Sequence, residues 1–192
     1  MSPFSEIPEA ERLEPWLAAR IPGYRGPLKV FPLRGGQSNP TFRLATPGTD
    51  YVLRRKPFGE LLPSAHAIER EYRVMRALHG SAVPVPGVRA LCEDPSIVGT
   101  PFYVMEFVAG RMFTDSRMPG IARAERSALF DGMNAAIAAL HAIDPASAGL
   151  ADFGRAGNYI ERQMGRWTKQ YRASTTEPIE EMERIIEWPP RQ

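Results

Sequence analysis

The stretch LKVFPLRGGQSNPTFRLATPGTDYVLRRK, residues 28–56, sets the fold of the N-terminal half of this chain. It contains three apolar, β-prone segments that we predict to be strands: Leu28–Leu33, Thr41–Ala45 and Tyr51–Lys56. A polar loop with two glycines separates the first two segments, and a Thr-Pro-Gly turn lies between the second and the third. The stretch therefore predicts a three-stranded antiparallel meander.

One helix and two further strands follow the meander. Ser64–Leu78 has a capping serine and apolar residues at helical spacing, which predict a helix. Val88–Glu93 and Pro101–Val108 are predicted strands joined by a turn. A short helix over Pro15–Arg20 precedes the sheet, because proline suits a first helical position. Residues 1–109 are thus predicted to form an α+β lobe of five antiparallel strands with one inserted helix.

The chain changes character after Gly110. Three helices are predicted there, over Arg123–Ala142, Asn158–Arg172 and about Pro178–Glu187. Residues 110–192 are therefore predicted to begin a mainly helical second lobe.

Composition excludes several classes of protein. Hydrophobic residues make up 43% and charged residues 24%, as in globular chains, which excludes a disordered protein. The formal net charge of +2 argues against nucleic acid or an anionic membrane as a partner. The single cysteine, Cys92, cannot form an internal disulfide, and the three histidines lack metal-ligand spacing. The acidic N-terminus does not resemble a signal peptide, so we expect a soluble, cytoplasmic protein.

The loop Gly35-Gly36-Gln37-Ser38-Asn39 is a candidate phosphate site. Glycines let backbone N–H groups approach an anion closely, as in loops that cover nucleotide phosphates. A hairpin turn that needs positive φ explains the same two glycines. The loop alone does not separate these alternatives.

The residues that follow the loop favour the phosphate interpretation. Side chains alternate along a strand, so Val52 and Arg54 point to the same side. An apolar residue followed by a cation beneath a glycine loop suits an adenine ring and its phosphates. Glu71 follows on the next helix, where its carboxylate would orient the Arg54 guanidinium through a bidentate pair. The alternative is that Arg54 and Glu71 are ordinary surface charges.

Several motifs occur in an order typical of a known family. They are Gly-Gly-Gln-Ser-Asn-Pro-Thr-Phe at 35–42, Tyr-Val-Leu-Arg-Arg-Lys-Pro at 51–57, Glu-Arg-Glu-Tyr at 69–72, Val-Pro-Val-Pro at 83–86 and Gly-Thr-Pro-Phe-Tyr-Val-Met-Glu-Phe-Val-Ala-Gly-Arg at 99–111. The chain resembles the aminoglycoside phosphotransferase family, which has a protein-kinase-like fold. Within it, the chain resembles the kinase-like domains found with acyl-CoA dehydrogenases.

The resemblance implies a nucleotide site. Residues 35–39 would be the phosphate-covering loop, with Ser38 near the β-phosphate. Arg54 occupies the place of the phosphate-binding lysine of kinases, where arginine could still hold phosphate through two nitrogens. Glu71 would be its partner on the helix.

The same resemblance assigns the adenine contacts. Glu106 to Val108 would be the hinge, where the Glu106 carbonyl and the Val108 N–H meet the adenine. Met105 would lie at the back of the pocket. ATP is the implied cofactor, with Mg²⁺ expected in the full-length enzyme.

One family motif is missing. Phosphoryl transfer needs an aspartate at the substrate hydroxyl and Asp/Asn ligands for Mg²⁺, and the family supplies the first from a His-Gly-Asp-x-x-x-x-Asn loop. The 192 residues contain no His-Gly-Asp, and His79-Gly80 is followed by Ser81. Asp152-Phe153-Gly154 imitates a metal motif, but no catalytic loop precedes it, so we interpret it as a chance match. We assign no catalytic residue and no metal ligand.

We therefore expect an N-terminal fragment of an ATP-dependent phosphotransferase that acts on a small-molecule hydroxyl, with an acyl-CoA-linked substrate as one option. A non-catalytic nucleotide-binding module and a truncated inactive product are the alternatives. The basic stripe Arg162, Arg166 and Lys169 fits a solvated helix face, and holding CoA phosphates is the second interpretation.

Overall fold

Five antiparallel strands form one sheet in the computed structural model, which describes residues 7–33, 39–59, 66–154 and 157–188. Helix α1 (Ala10–Arg20) precedes the strands, which are β1 (Lys29–Pro32), β2 (Thr41–Ala45), β3 (Tyr51–Arg55), β4 (Val88–Cys92) and β5 (Phe102–Glu106). They lie in the order β1-β2-β3-β5-β4, and helix α2 (Ile68–Leu78) connects β3 to β4. The predicted five-stranded lobe with one inserted helix is confirmed.

The register of β3 places its side chains on two distinct faces of the sheet. Leu53 pairs with Phe42 of β2 and with Val104 of β5, whereas Arg54 pairs with Tyr103 of β5. Because neighbouring residues of a strand point to opposite sides, Leu53 and Arg54 lie on opposite faces. We call the face that carries Leu53 the core face and the face that carries Arg54 the site face.

Helix α1 covers the core face. Leu13 and Leu17 of this helix are completely buried, and the Trp16 ring meets the Phe102 ring edge-on at 4.8 Å. Burying each such side chain contributes about 1.5–3 kcal/mol. The cluster also includes Ile21, Leu28, Phe42, Leu44, Tyr51, Leu53, Cys92, Val98 and Val104.

Helix α1 begins at Ala10, not at Pro15 as predicted. The prediction assumed that proline takes the first helical position, but Pro15 lies inside the helix. An interior proline costs about 3 kcal/mol relative to alanine. Complete burial of Leu13 and Leu17 on either side of it offsets that cost.

Helix α2 contacts β4 and β5 and lies on the site face. Of its predicted apolar stripe, Ile68 and Leu78 are buried, while Tyr72 and Met75 are half-buried. The Tyr72 ring lies 6.1 Å from the ring of Tyr103. The predicted cap at Ser64 lies outside the described residues.

The chain forms two compact units that divide between Gly149 and Leu150. The first contains the sheet, α1, α2 and α3 (Arg123–His141), and the second contains α4 (Tyr159–Ser174) and α5 (Glu180–Glu187). The predicted lobe boundary after residue 109 stays a prediction. Among the described residues, no helix is both long enough and apolar enough to cross a membrane.

Candidate nucleotide-binding site

An arginine–glutamate ion pair lies on the site face. Arg54 of β3 donates from Nε to Oε2 of Glu71 in α2 at 2.8 Å. The two side chains are 26% and 36% exposed, so the pair is reachable from solvent. The pair uses one guanidinium nitrogen rather than the two that were predicted: Arg54 Nη1 is directed to Thr41 Oγ1, and the other carboxylate oxygen, Oε1, accepts a hydrogen bond from Asn39.

Three donors converge on the Glu71 carboxylate. Asn39 Nδ2 donates to Oε1 at 3.0 Å, and the Tyr103 hydroxyl donates to Oε2 at 3.1 Å beside the Arg54 bond. Arg54 also donates from Nη1 to Thr41 Oγ1 at 3.3 Å. Hydrogen bonds to a charged group are stronger than neutral ones, so these contacts hold both charged groups in a defined orientation.

Tyr103 is buried beneath this pair, at 2% exposure. Burial, followed by the negative charge of Glu71, raises the pKa of the Tyr103 hydroxyl well above its usual 10.0. The hydroxyl therefore keeps its proton and remains a donor to Glu71 at neutral pH.

An apolar surface adjoins the ion pair on the same face. Val52 of β3 pairs with Met105 of β5, one step along the strands from the pair Arg54 and Tyr103. Val52 is 6% exposed and Met105 is half-buried. The arrangement places an apolar patch next to a cation, as the sequence predicts for an adenine ring and its phosphates.

The predicted hinge lies where β5 ends. Glu106 accepts a hydrogen bond from the Gly87 N–H at 3.0 Å through its side chain and pairs with Arg89. Its own N–H donates to the Gly87 carbonyl at 2.9 Å. Val108, two residues later, has left the sheet and is 65% exposed. Contacts on both sides of its backbone fix Glu106, whereas Val108 is open to solvent.

The structure describes only the last residue of the predicted phosphate loop. Gly35, Gly36, Gln37 and Ser38 lie outside the described residues, so their role stays a prediction. Asn39, the last residue of the loop, is 2% exposed.

Sequence reasoning missed three polar partners of this site: Thr41, His66 and Tyr103. His66 Nδ1 lies 2.8 Å from Asn39 Oδ1. Tyr103 alternates with Met105 along β5, so the period of two could have placed it on the site face. Thr41 follows only from the β2–β3 register, and no pattern in the sequence points to His66.

Within the described ranges, no cluster of three or more His, Cys, Asp or Glu side chains could hold a metal ion. The Asp152-Phe153-Gly154 tripeptide lies in a turn where the Phe153 N–H donates to the Leu150 carbonyl at 2.9 Å. Its interpretation as a chance match stays a prediction.

An open cavity of about 410 Å³ lies elsewhere in the first unit. Its lining residues are Ile21, Pro22, Gly23, Thr49, Tyr51, Val88 and Arg89. None of the predicted site residues lines it, and Arg89, the one charged residue among those that line it, pairs with Glu106. We therefore place the candidate site at the Arg54–Glu71 pair and not at this cavity.

Comparison with known proteins agrees with the fold and the motifs. The model of a family described as "Phosphotransferase enzyme family" (APH) matches residues 29–192. A crystal structure of a protein assigned as an aminoglycoside phosphotransferase from Ralstonia eutropha JMP134 is 50% identical, with a TM-score of 0.78. The match covers 95% of this chain and 53% of that one.

Two curated relatives are named after acyl-CoA dehydrogenases. Acyl-CoA dehydrogenase family member 10 of Mus musculus is 48% identical over 165 residues, which are 86% of this chain and 15% of the relative. Probable acyl-CoA dehydrogenase IBR3 of Arabidopsis thaliana is 46% identical over 170 residues, 84% of this chain and 21% of the relative. The chain thus spans about a fifth of the curated relatives it matches.

Proposed function

This chain belongs to the phosphotransferase enzyme family, and we propose that its first unit binds ATP on the site face of the sheet. We further propose that a protein containing both this chain and a catalytic loop would transfer the γ-phosphoryl group of ATP to a small-molecule hydroxyl. The observation that carries it is the Arg54–Glu71 pair beside the apolar patch of Val52 and Met105.

Arg54 would hold the phosphates. In phosphoryl transfer the protein contributes chiefly position and compensating charge, because negative charge is spread over the phosphoryl oxygens in the transition state. A guanidinium is always protonated and can present two nitrogens to phosphate. Glu71 binds Arg54 at Nε and Thr41 binds it at Nη1, so the guanidinium plane is fixed before the nucleotide arrives. Such preorganisation lowers the entropy lost on binding.

The base would lie on the neighbouring apolar patch. Val52 and Met105 would contact its faces, while the Glu106 carbonyl and the Val108 N–H would hydrogen-bond its edge. The fixed position of Glu106 and the exposure of Val108 support this assignment. Residues 35–39 would cover the phosphates from the loop side, with Ser38 near the β-phosphate.

The 192 residues do not supply every part of the reaction. The sequence contains no His-Gly-Asp, and the described residues contain no cluster of three or more His, Cys, Asp or Glu side chains that could hold a metal ion. We therefore assign ATP binding to this chain and assign no catalytic step to its residues. A non-catalytic nucleotide-binding module is the second candidate.

The acceptor is proposed from the relatives. Their names link this family branch to acyl-CoA dehydrogenases, which supports a hydroxylated, acyl-CoA-linked metabolite over an aminoglycoside. Phosphate groups of such a substrate could meet the cationic side of α4, which carries Arg162, Arg166 and Lys169.

A titration of the 192-residue chain tests the binding proposal. Calorimetry with ATP, ADP, AMP and adenosine should show affinity that rises with the number of phosphates, because Arg54 contacts the phosphates. Equal affinity for ATP and adenosine, or no binding of either, would contradict the proposal. Phosphate release from ATP, measured in parallel, separates the two candidates: the binding module predicts none.

A further inference from the structure

Asn39 is a buried amide whose two polar atoms are both used. Its Nδ2 faces the Glu71 carboxylate at 3.0 Å, and its Oδ1 faces His66 Nδ1 at 2.8 Å. A carboxylate only accepts hydrogen bonds, so the amide atom that faces Glu71 must be the nitrogen. The oxygen is then left for His66, whose Nδ1 must carry a hydrogen and donate it.

The hydrogen bonds of Asn39 close a ring that includes the Arg54 guanidinium. The Glu71 carboxylate accepts hydrogen bonds from Asn39 Nδ2 and from Arg54 Nε. Arg54 Nη1 donates to Thr41 Oγ1, which in turn donates to the backbone carbonyl of Asn39 at 3.1 Å. A ring of this kind leaves no member free to turn independently. The orientation of Arg54 therefore depends on Asn39, although the two side chains are not bonded to each other.

His66 supports this ring from outside. It lies just before α2 and has a left-handed backbone, with φ of 56°. That conformation is unfavourable for a residue with a Cβ and persists where surrounding contacts fix it. The His66 carbonyl accepts a hydrogen bond from the Ile68 N–H at 2.9 Å, so the residue is tied to the start of the helix that carries Glu71.

We infer that Asn39 and His66 are positioning residues for the nucleotide phosphates: they lock the Glu71 carboxylate and so hold the Arg54 guanidinium in a phosphate-binding orientation. The inference rests on the proposed function. With Asn39 bound at Oε1, Glu71 keeps Oε2 for Arg54 and Tyr103. Without Asn39, the carboxylate can rotate and offer Arg54 either oxygen. Asn39 also ends the predicted phosphate loop, so one side chain links that loop to α2.

The test uses two readouts on the full 192-residue chain. The first is hydrogen exchange of the Arg54 Nε–H, followed by NMR without nucleotide. The second is the ratio of ATP to adenosine affinity. Asn39→Ala should speed the exchange and weaken ATP binding by about tenfold, with adenosine affinity unchanged, because one hydrogen bond to a charged group is lost. His66→Ala should weaken ATP binding less, by about threefold.

Two further variants separate positioning from general destabilisation. His66→Asn should restore ATP affinity, because asparagine tolerates a left-handed backbone and has an amide donor near the place of Nδ1. Thr46→Ala removes two hydrogen bonds from the exposed β2–β3 turn and should change neither readout.

The outcomes distinguish this inference from the proposed function. An Arg54 exchange rate that Asn39→Ala leaves unchanged would overturn the inference even if ATP binds. If Asn39→Ala lowered the affinities for ATP and for adenosine by the same factor, the inference would be overturned too, since Asn39 would then act through the fold alone. A wild-type chain that does not bind ATP, with an exchange rate that still responds to Asn39→Ala, would overturn the proposed function and the nucleotide role, but not the link from Asn39 to Arg54.

Discussion

Arg54 and Arg55 are neighbours on β3, and the two faces of the sheet give them opposite environments. Arg55 is 1% exposed on the core face, where its guanidinium carbon lies 4.3 Å from the Phe58 ring centroid and its Nη1 donates to the Val98 carbonyl at 3.0 Å. Arg54 is 26% exposed on the site face and bonds Glu71. The same residue type thus packs into the core at one position and faces solvent at the next.

The difference shows what each face can do. Aromatic rings on the core face stack on the Arg55 guanidinium and hold it in the interior. Polar side chains on the site face orient Arg54 but leave it reachable, as a ligand-binding cation must be. We therefore expect substitutions on the core face to change stability and substitutions on the site face to change affinity.

The largest effect is expected from Arg55→Ala. Loss of the stacked side chain and of the bond to Val98 should lower the free energy of unfolding by about 3 kcal/mol. Urea unfolding followed by tryptophan fluorescence measures this. Arg55→Met fills most of the space without a buried charge and should cost about 1 kcal/mol or less. If Arg55→Met lost as much free energy of unfolding as Arg55→Ala, the hydrogen bond to Val98 or the charge would matter more than the packing.

A smaller effect is expected from Val52→Ala on the site face. Loss of the Val52 side chain should weaken ATP and adenosine binding equally, by about fivefold, because the apolar patch is proposed to contact the base and not the phosphates. Leu53→Ala on the core face is the matched control: it should destabilise the fold by about 3 kcal/mol and leave the affinity of the folded protein unchanged. A selective loss of ATP binding in Val52→Ala would contradict the assignment of the patch to the base.

The smallest effect is expected from two tyrosines with raised pKa values, which change stability only at alkaline pH. Burial, and then the charge of Glu14, raise the pKa of Tyr24 to about 12. Burial and Glu71 raise that of Tyr103 on the site face. An unfolded tyrosine ionises near pH 10, so the folded state binds more protons above that pH and stability should fall as the pH rises further. Urea midpoints between about pH 9 and pH 11 measure the slope.

Single substitutions show how much each tyrosine contributes to the fall of stability with pH. Tyr24→Phe and Tyr103→Phe should each make the slope shallower, since each removes one group that titrates differently in the folded and unfolded states. A wild-type stability that stays constant or rises with pH in this range would contradict both assignments.

Local patterns predicted the sheet and part of the site. The period of two placed Val52 with Arg54 and set Arg55 on the other side, and the helical spacing of apolar residues predicted the inserted helix. These features depend on neighbours in sequence, which explains the success. The start of α1 was missed because burial of Leu13 and Leu17 outweighs the usual preference of proline for a first turn.

The contacts that complete the site could not be predicted in the same way. Asn39 meets Glu71 across 32 residues of sequence, and Tyr103 meets it across the same separation. The Tyr103 contact depends on β5 lying next to β3, and both contacts depend on the position of α2, which no local pattern gives. The predicted bidentate pair was wrong: Arg54 meets Glu71 through Nε and directs Nη1 to Thr41, a contact that depends on the β2–β3 register.

The most direct test of the account is ATP affinity in Arg54→Ala and Arg55→Ala, with adenosine as the reference ligand. The account predicts that Arg54→Ala weakens ATP binding by about tenfold or more, leaves adenosine binding unchanged and costs less than about 1 kcal/mol of stability. Arg55→Ala, measured where the protein is folded, should bind both ligands as the wild type does. Equal losses of ATP affinity in the two variants would contradict the division of the sheet into a core face and a site face.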